Sequence, residues 1–246
     1  IMGCGAPDYD NNGQYIPENG SRDYKYVGGK GSWTNVMDSL TSFDSISMGN
    51  NIIQDIDGDG NPDPWTLIRD SLDFIDLQSG KTPLRVLGIP KVGSTLQYNR
   101  YSTDSIAFED QFTQNIPTLE DMTKAALNIL DNNDKGFALM IEGGAIDWAG
   151  HGNRLDGVIE EQYDFNNAAD AVVQWVNDSS SWSETLVIVT GDHETGYLVG
   201  NNWDPNFLNN TYQIIDQGVN QMPGGHFLTS NHTNMLIPLF VKGEGS

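Results

Sequence analysis

Two short apolar runs in this sequence end in side chains that bind cations. The run "FALMIE" ends at Glu142, and "TLVIVTGDH" ends at Asp192 and His193. A continuous apolar run of this length is typical of a strand whose two faces are both covered. If these strands are parallel neighbours, their carboxyl ends bring the three groups to one edge of a sheet. The pattern therefore predicts a cation site at that edge.

Helical patterns alternate with the apolar runs. The clearest helix follows Thr118, an N-cap residue with Asp121 three positions on. A second helix carries the apolar stripe from Phe165 to Val176, and "WTLIRDSLDFIDLQSGK" predicts a third, with Thr66 as its N-cap and Gly80 as its stop. Apolar residues of the first helix recur at helical spacing, at Leu119, Met122, Ala126 and Ile129.

The order of these elements predicts the fold class. "RVLGIP" indicates another buried strand, and "MLIPLFVKG" a last one near the end of the chain. Strands that alternate with helices indicate an α/β fold, a mostly parallel sheet with helices on both faces. We expect one domain over residues 1–246. Residues 1–65 are expected to form a loop-rich, insertion-like region because their first part is dense in Gly, Asp and Asn.

Composition narrows the classes of partner. The formal net charge is −22, from 34 acidic and 12 basic residues, which argues against nucleic acid or an anionic membrane as partner. A single cysteine, Cys4, excludes an intramolecular disulfide framework and a multi-cysteine zinc site. The sequence contains no apolar stretch of membrane-spanning length and no visible signal peptide. A start at Ile1 rather than Met leads us to expect a processed or truncated product.

The sequence contains three further candidate ligands. Asp147 and His151 are four residues apart, so a helical turn would place them on one face, although the intervening glycines are nearly as compatible with a tight loop. His232, in "SNHTN", precedes the last strand, and we expect that strand to run antiparallel so that His232 reaches the same edge. Imidazole and carboxylate ligands without thiolate suit zinc, while magnesium or calcium prefers carboxylate-rich positions.

Three motifs together resemble those of a known family. "IEGGAIDWAGHGN", "TLVIVTGDHETG" and "NHT" before an apolar strand resemble the metal-binding motifs of the alkaline phosphatases. The resemblance extends to "IMGCGAPDYD", "VLGIP" with Arg100 downstream, "PTLEDMTKAAL" and "DFNNAADAVVQWV", and so covers most of the chain. In that family two zinc ions and one magnesium ion hold a phosphomonoester. A serine or threonine alkoxide attacks phosphorus, and the resulting phospho-enzyme is then hydrolysed.

The resemblance implies a role for each candidate ligand. The first zinc ion would be held by Asp147, His151 and His232. The second zinc ion would be held by Asp192 and His193, and the magnesium ion by Glu142. Two zinc ions stabilise both the entering and the leaving oxygen of an in-line displacement.

The family's nucleophile has no matching position in this chain. It belongs to an Asp-Ser or Asp-Thr motif that precedes the segment resembling "IMGCG", whereas Asp38 and Ser39 follow that segment. We therefore expect the C-terminal portion of an alkaline phosphatase, without the N-terminal part, without a catalytic nucleophile and with negligible turnover alone. An exposed strand edge predicts self-association, such as a homodimer. The family and the acidic composition imply a periplasmic or extracellular location.

A second acidic segment, "DIDGDGNPD", spaces Asp55, Asp57, Asp59 and Asp63 around a glycine turn. It resembles the calcium-binding loops of extracellular repeat domains. Thr66 stands at the twelfth position, where a helix-loop-helix site has Glu, which disfavours that version. Two interpretations stay open: a calcium site and a solvated turn. "DYDNNG" at residues 8–13 is a weaker version of the same pattern.

Two other function classes compete with a phosphatase. Sulfatases, phosphodiesterases and phosphoglycerate mutases share the Asp-His metal chemistry, but "EGGAID", "DHETG" and "NHT" together favour the phosphatase. The non-catalytic alternative is an extracellular module that binds calcium at Asp55–Asp63 and no zinc at His151. His226 matches no motif position, and we expect a loop histidine there.

Overall fold

The computed structural model of the protein describes residues 1–41, 55–61, 63–100, 105–203 and 213–246. They form two compact units. The first comprises Ile1–Tyr101 and Thr113–Ile141, and the second Ser102–Phe112 and Glu142–Ser246. All six predicted zinc and magnesium ligands belong to the second unit, whereas the acidic loop at Asp55–Asp63 belongs to the first.

The first unit combines helices with a parallel pair of strands. In chain order its elements are a 3-10 helix (Lys25–Val27), α1 (Lys30–Thr41), β1 (Thr66–Ile68), α2 (Ser71–Asp76), β2 (Val86–Gly88) and α3 (Leu119–Leu130). β1 and β2 pair in parallel, with Thr66 opposite Val86. Met2 forms a parallel bridge with Gly88 and so extends this small sheet on the other side of β2.

The core of the first unit lies between the β1–β2 sheet and helices α2 and α3. Its buried apolar side chains are Ile68, Phe74, Val86, Met122 and Ile129. Phe74 has no exposed surface, and burying a side chain of this size contributes about 1.5–3 kcal/mol. A Cβ at Gly88 would lie 2.7 Å from the Phe74 ring, so the strand approaches the ring this closely only because residue 88 is glycine.

The helix predicted from Thr66 to Gly80 is wrong in its first part. Residues 66–68 form strand β1, and α2 begins only at Ser71. Asp70 is the N-cap residue of α2, and its N–H donates to Asp73 Oδ2 at 3.1 Å, which is one half of a capping box. Leu72 and Ile75, which helical periodicity would place on the same apolar face as Ile68, are exposed. The apolar spacing therefore predicted one helix where the structure has a strand followed by a separate short helix.

The predictions for α3 and β2 are confirmed. Thr118 Oγ1 accepts the N–H of Asp121 at 3.0 Å, and the N–H of Thr118 donates to Asp121 Oδ2 at 3.0 Å, which is a capping box. Strand β2 is buried at both ends. The loop-rich character expected of residues 1–65 is interrupted by α1, which the sequence analysis did not predict. Residues 42–54 and 62 of that region lie outside the described residues.

Asp8 and Arg69 form a buried ion pair in the first unit. Both guanidinium Nη atoms donate to the carboxylate, at 2.7 and 2.8 Å, and the two side chains are only 11% and 12% exposed. The rings of Tyr9 and Trp33 lie 5.3 and 5.1 Å from the same guanidinium carbon. The Asp8 carboxylate is therefore paired with Arg69 rather than turned towards a cation, and the weak calcium pattern at residues 8–13 stays a prediction.

The segment "FALMIE" does not form the strand that its apolar character predicts. Residues 137–142 belong to no strand of the described part of the chain, and their side chains alternate between half-buried and exposed. Met140 is 86% exposed. An apolar run becomes a strand only when a neighbouring strand satisfies its backbone groups, and none of the described strand pairs includes this segment.

The second unit begins with two helices and continues with short strands. Its elements are α4 (Ala145–His151), α5 (Leu155–Ser179), β3 (Leu186–Thr190), β4 (Glu194–Thr195), β5 (Leu198–Gly200), β6 (Gly225–Phe227), β7 (His232–Thr233) and β8 (Leu239–Gly243). The strands form three antiparallel pairs, β3–β8, β4–β7 and β5–β6. Over the whole described part of the chain, no helix has both the length and the apolar character that a membrane crossing requires.

Helix α5 confirms the predicted apolar stripe in part. Ala168 and Val176 are fully buried, whereas Val173 is 37% exposed. The first turn of the helix contains a buried carboxylate, Asp156, and Arg154 Nε donates to its Oδ1 at 2.9 Å. Burial raises the pKa of Asp156, but the hydrogen bond and charge of Arg154, together with the backbone N–H groups of Gly157 and Asp156, outweigh it and hold the pKa below its ordinary value. This contribution to stability is present at neutral pH and is lost as the pH falls through the folded-state pKa.

The strand pairing differs from the expected mostly parallel sheet. Among the described strands only β1 and β2 pair in parallel. The expectation that the last strand runs antiparallel is confirmed, since β8 pairs antiparallel with β3 and Ile188 lies opposite Val241. β3 is not covered on both faces, because Leu186, Ile188, Leu239 and Val241 on one face are all exposed. Such an apolar face fits the expected self-association, which stays a prediction.

Candidate metal centre

Helix α4 positions two of the predicted ligands. Asp147 and His151 lie one turn apart, and Asp147 Oδ1 is 3.4 Å from His151 Nε2. The helical alternative for this segment is therefore confirmed over the tight loop. Gly150 lets the end of α4 approach strand β4, since a Cβ there would lie 2.9 Å from the carbonyl oxygen of Thr195.

The third ligand, His232, comes from strand β7. This strand pairs antiparallel with β4, so that His232 lies opposite Thr195. Glu194 holds the short pair together at its other position: one carboxylate oxygen accepts the N–H of Tyr197 at 2.6 Å, and the other accepts the hydroxyl of Thr233. A two-residue strand pair has few backbone hydrogen bonds, and the bond from Thr233 to Glu194 crosses the pair and supports its register.

The three side chains converge on one point. His151 Nε2 lies 3.0 Å from His232 Nε2, and His232 Nε2 lies 3.3 Å from Asp147 Oδ1. The Nδ1 of His151 lies 2.6 Å from the carbonyl oxygen of Ser230. Because a carbonyl only accepts, Nδ1 carries the proton and the Nε2 lone pair faces the other two side chains.

This donor set fits zinc. The three ligand atoms lie within 4.8 Å of one another, and two imidazoles with one carboxylate are typical of a zinc site that keeps a fourth position open. A backbone carbonyl that orients a ligating imidazole from its other nitrogen is the usual outer partner in such sites. The side chains of Asp147, His151 and His232 are 31%, 41% and 50% exposed, so the site opens to solvent.

Asp192 and His193 lie beside this cluster. Asp192 Oδ2 is 3.4 Å from His193 Nε2, and the Asp192 side chain is 89% exposed. The ring of His193 stacks on that of His232 with 3.6 Å between centroids. In the described part of the chain, the groups of three or more converging donors are Asp147–His151–His232 and Asp55–Asp57–Asp59. Asp192 and His193 belong to neither group, and their role as ligands stays a prediction.

Two other residues stand apart from the cluster. Glu142, the predicted magnesium ligand, is exposed and precedes α4. It is outside both converging groups of the described residues, and its role stays a prediction. His226 is an exposed residue of β6, opposite Val199 on β5, rather than a residue of a plain loop.

Sequence analysis missed the contacts of Thr195. Its Oγ1 donates to Asp147 Oδ1 at 2.6 Å and lies 3.2 Å from His193 Nδ1. Only the His193 contact had a signal in the spacing, because residues 193 and 195 are two apart and side chains at that spacing share one side of an extended strand.

The acidic loop in the first unit has a defined geometry. Carboxylate oxygens of Asp55, Asp57 and Asp59 converge within 4.8 Å. Asp63 Oδ2 accepts the N–H of Ile56 at 2.6 Å, and Asp55 accepts the N–H of Gly58 at 2.7 Å. Hydrogen bonds from the side chain and backbone of Asn61 lower the pKa of Asp59. Thr66, at the twelfth position, is the first residue of β1.

Comparisons with known proteins point to one family. The family model described as "Alkaline phosphatase" matches residues 25–226. Alkaline phosphatase 3 of Bacillus subtilis (strain 168) is 43% identical over 89 residues, 36% of this chain and 19% of that protein. A membrane-bound alkaline phosphatase of Bombyx mori is 31% identical over 142 residues, 58% of this chain and 23% of that protein.

One solved structure supports the fold. The cold-active alkaline phosphatase from a psychrophilic Shewanella sp. superimposes with a TM-score of 0.52 at 21% identity, covering 99% of this chain and 70% of that one. At this identity the likeness shows the α/β fold alone. The matched part spans about a fifth of the Bacillus and Bombyx relatives, at 19% and 23% of their lengths.

Proposed function

Because the chain belongs to the alkaline phosphatase family, we propose that it supplies metal ligands to a phosphomonoester hydrolase. One observation carries this proposal. Asp147, His151 and His232 come from a helix and a distant strand, yet their ligand atoms lie within 4.8 Å. Such a three-donor arrangement that leaves one position open to solvent is typical of a catalytic rather than a structural zinc site.

The proposed ligands follow the family's motifs. A first zinc ion is assigned to the cluster of Asp147, His151 and His232. A second zinc ion is assigned to Asp192 and His193, and a magnesium ion to Glu142. When bound, the two zinc ions supply charge stabilisation for the entering and leaving oxygens of phosphoryl transfer.

The chain's own residues prepare the first site. The carbonyl of Ser230 fixes the tautomer of His151, and the hydroxyl of Thr195 fixes the orientation of the Asp147 carboxylate. Both hydrogen bonds orient the ligand side chains in advance, so that less conformational entropy would be lost when a metal ion binds. The 3.0 Å contact between His151 Nε2 and His232 Nε2 is a hydrogen bond that metal binding replaces.

We propose no residue of this chain as the catalytic nucleophile. No position of the sequence matches the family's Asp-Ser or Asp-Thr motif. Asp38, of the Asp-Ser pair that follows the "IMGCG" segment, lies on helix α1 of the other compact unit. The proposal therefore includes negligible turnover by this chain alone, in a periplasmic or extracellular setting. The mostly parallel sheet with helices on both faces remains part of the proposal for the complete fold.

Zinc-dependent binding of inorganic phosphate tests this function. Inorganic phosphate is the product of phosphomonoester hydrolysis. We expect the zinc-loaded chain to bind it, as measured by isothermal titration calorimetry. His193→Ala removes a proposed ligand of the second zinc ion and should weaken phosphate binding by about tenfold or more, as loss of a charge-assisted contact does. Absence of phosphate binding in the zinc-loaded wild type would contradict the proposal.

Turnover in the same preparations separates the competing classes. We expect negligible release of p-nitrophenol from p-nitrophenyl phosphate, and none from the corresponding diester or sulfate ester. Robust hydrolysis of the monoester would show that the chain contains its own nucleophile and would overturn that part of the proposal. A preference for the diester or the sulfate would favour a phosphodiesterase or a sulfatase.

We also propose a calcium site at the acidic loop. The observation that favours it is the convergence of Asp55, Asp57 and Asp59, with Asp63 closing the loop through the N–H of Ile56. Calcium takes six to eight oxygen ligands, and loops of this spacing supply several carboxylates at once. This site is compatible with the phosphatase assignment, whereas a purely structural calcium module would bind calcium here and no zinc at His151.

Asp57→Asn tests the calcium site. The substitution keeps the size of the side chain but removes one carboxylate charge, so calcium affinity should fall by about tenfold or more, because ligand charge sets affinity in such loops. Calorimetric titration with calcium measures the change. Asp38→Asn, on exposed α1 surface of the same unit, is the matched control and should bind calcium as the wild type does. Absence of calcium binding in the wild type would identify the loop as a solvated turn, and equal affinity in wild type and Asp57→Asn would show that Asp57 is not a ligand.

A further inference from the structure

We propose that Thr195 is a positioning residue whose hydroxyl joins the two zinc sites. The inference rests on the proposed function, since it concerns the same ligands. Thr195 Oγ1 is 2.6 Å from Asp147 Oδ1, a ligand assigned to the first zinc ion. The same oxygen is 3.2 Å from Nδ1 of His193, a ligand assigned to the second. One hydroxyl therefore contacts one ligand from each site.

The chemistry of the three groups fixes the direction of both hydrogen bonds. An ionised carboxylate only accepts, so the single hydroxyl hydrogen of Thr195 points to Asp147. The lone pairs of Oγ1 then face His193, whose Nδ1 must carry a proton in order to donate. A neutral imidazole has one N–H, so Nε2 of His193 is left with its lone pair free.

This tautomer is the one that the second site needs. The free nitrogen, Nε2, is the one that faces Asp192, at 3.4 Å from its Oδ2. The Nδ1–H tautomer therefore presents the lone pair beside the carboxylate with which it would share a metal ion. With the opposite tautomer, a hydrogen atom would occupy the position of the metal. Thr195 thus orients Asp147 and selects the tautomer of His193 with one side chain.

The backbone around Thr195 leaves its hydroxyl little freedom. Strand β4 is held against β7 by backbone pairing and by the side chain of Glu194. On the opposite side Gly150 packs against it, because a Cβ at position 150 would lie 3.0 Å from Thr195 Cβ. The fold therefore orients the hydroxyl of Thr195 before any metal ion is bound.

Thr195→Val tests the role of the hydroxyl. The substitution keeps the shape of the side chain but leaves Asp147 and His193 without their shared partner. Zinc affinity, measured by competition with a chromogenic chelator, should fall by about 10–100-fold, the usual effect of losing an outer partner of a metal ligand. Thr195→Ser keeps the hydroxyl and should restore most of the affinity. Thr185→Val, where the hydroxyl lies 2.8 Å from that of Ser180 in the same unit, should bind zinc as the wild type does.

The tautomer of His193 is measured in the metal-free wild type by ¹⁵N-resolved NMR of the imidazole nitrogens. Protonated Nδ1 supports the inference, and protonated Nε2 overturns it, whether or not the valine variant folds. Zinc binding that is equal in wild type and Thr195→Val also overturns it. If the wild type binds no zinc, the proposed function is contradicted. The tautomer of His193 then remains as the test of the role of Thr195.

Discussion

His151→Ala should abolish stoichiometric zinc binding at the cluster of Asp147, His151 and His232. The substitution removes one of three converging donors and leaves a carboxylate and one imidazole, which do not hold zinc against a competing chelator. We expect the affinity to fall by more than about 100-fold, beyond the 10–100-fold that loss of an outer partner costs. Elemental analysis after dialysis and chelator competition measure the change.

His226→Ala is the matched control for this substitution. It removes a histidine of the same compact unit, exposed on β6 and outside the converging groups of the described residues. Its zinc content should equal that of the wild type. If His151→Ala also retained zinc with wild-type affinity, the metal ion would be bound elsewhere and the assignment of the cluster would be wrong.

Asp8→Ala should destabilise the first compact unit by about 3–5 kcal/mol, the usual cost of removing one partner of a buried ion pair. Arg69 would remain charged and largely buried, because both its Nη atoms donate to Asp8 and its side chain is only 12% exposed. The rings of Tyr9 and Trp33 would not replace the lost hydrogen bonds. Urea unfolding followed by circular dichroism measures the free energy of unfolding.

Asp10→Ala separates this effect from loss of an acidic residue in general. Asp10 lies two residues further on and accepts backbone N–H groups of Asn12 and Gln14 at 2.8 Å in an exposed turn. We expect about 1 kcal/mol of destabilisation there, as for one ordinary hydrogen-bonded cap. Equal destabilisation by the two substitutions would mean that the Asp8–Arg69 pair adds nothing beyond a turn contact.

Local signals in the sequence predicted some elements well. Thr118 and Asp121 cap α3 as their spacing indicates, because a capping box depends only on residues three apart. Asp147 and His151 lie on one turn of α4 for the same local reason. The family resemblance is confirmed, since the family model matches residues 25–226, which contain the motifs from "VLGIP" to "DHETG".

Predictions that depended on distant partners were less successful. The apolar run at residues 137–142 predicted a covered strand, but strand formation requires a neighbouring strand that the described residues do not provide. Thr66–Ile68 was assigned to a helix because its apolar residues also fit a helical stripe, and only pairing with β2 distinguishes the two. Thr195 was not recognised as a contact of Asp147, because that contact joins residues 48 positions apart.

The central claim is that Asp147, His151 and His232 bind one zinc ion. A crystal structure of the zinc-soaked chain, with an anomalous difference map collected at the zinc absorption edge, tests this most directly. We expect a peak about 2.0–2.1 Å from both Nε2 atoms and about 2.0–2.2 Å from an Asp147 oxygen. No peak at this position in a zinc-loaded crystal, or zinc bound only by other residues, would contradict the assignment.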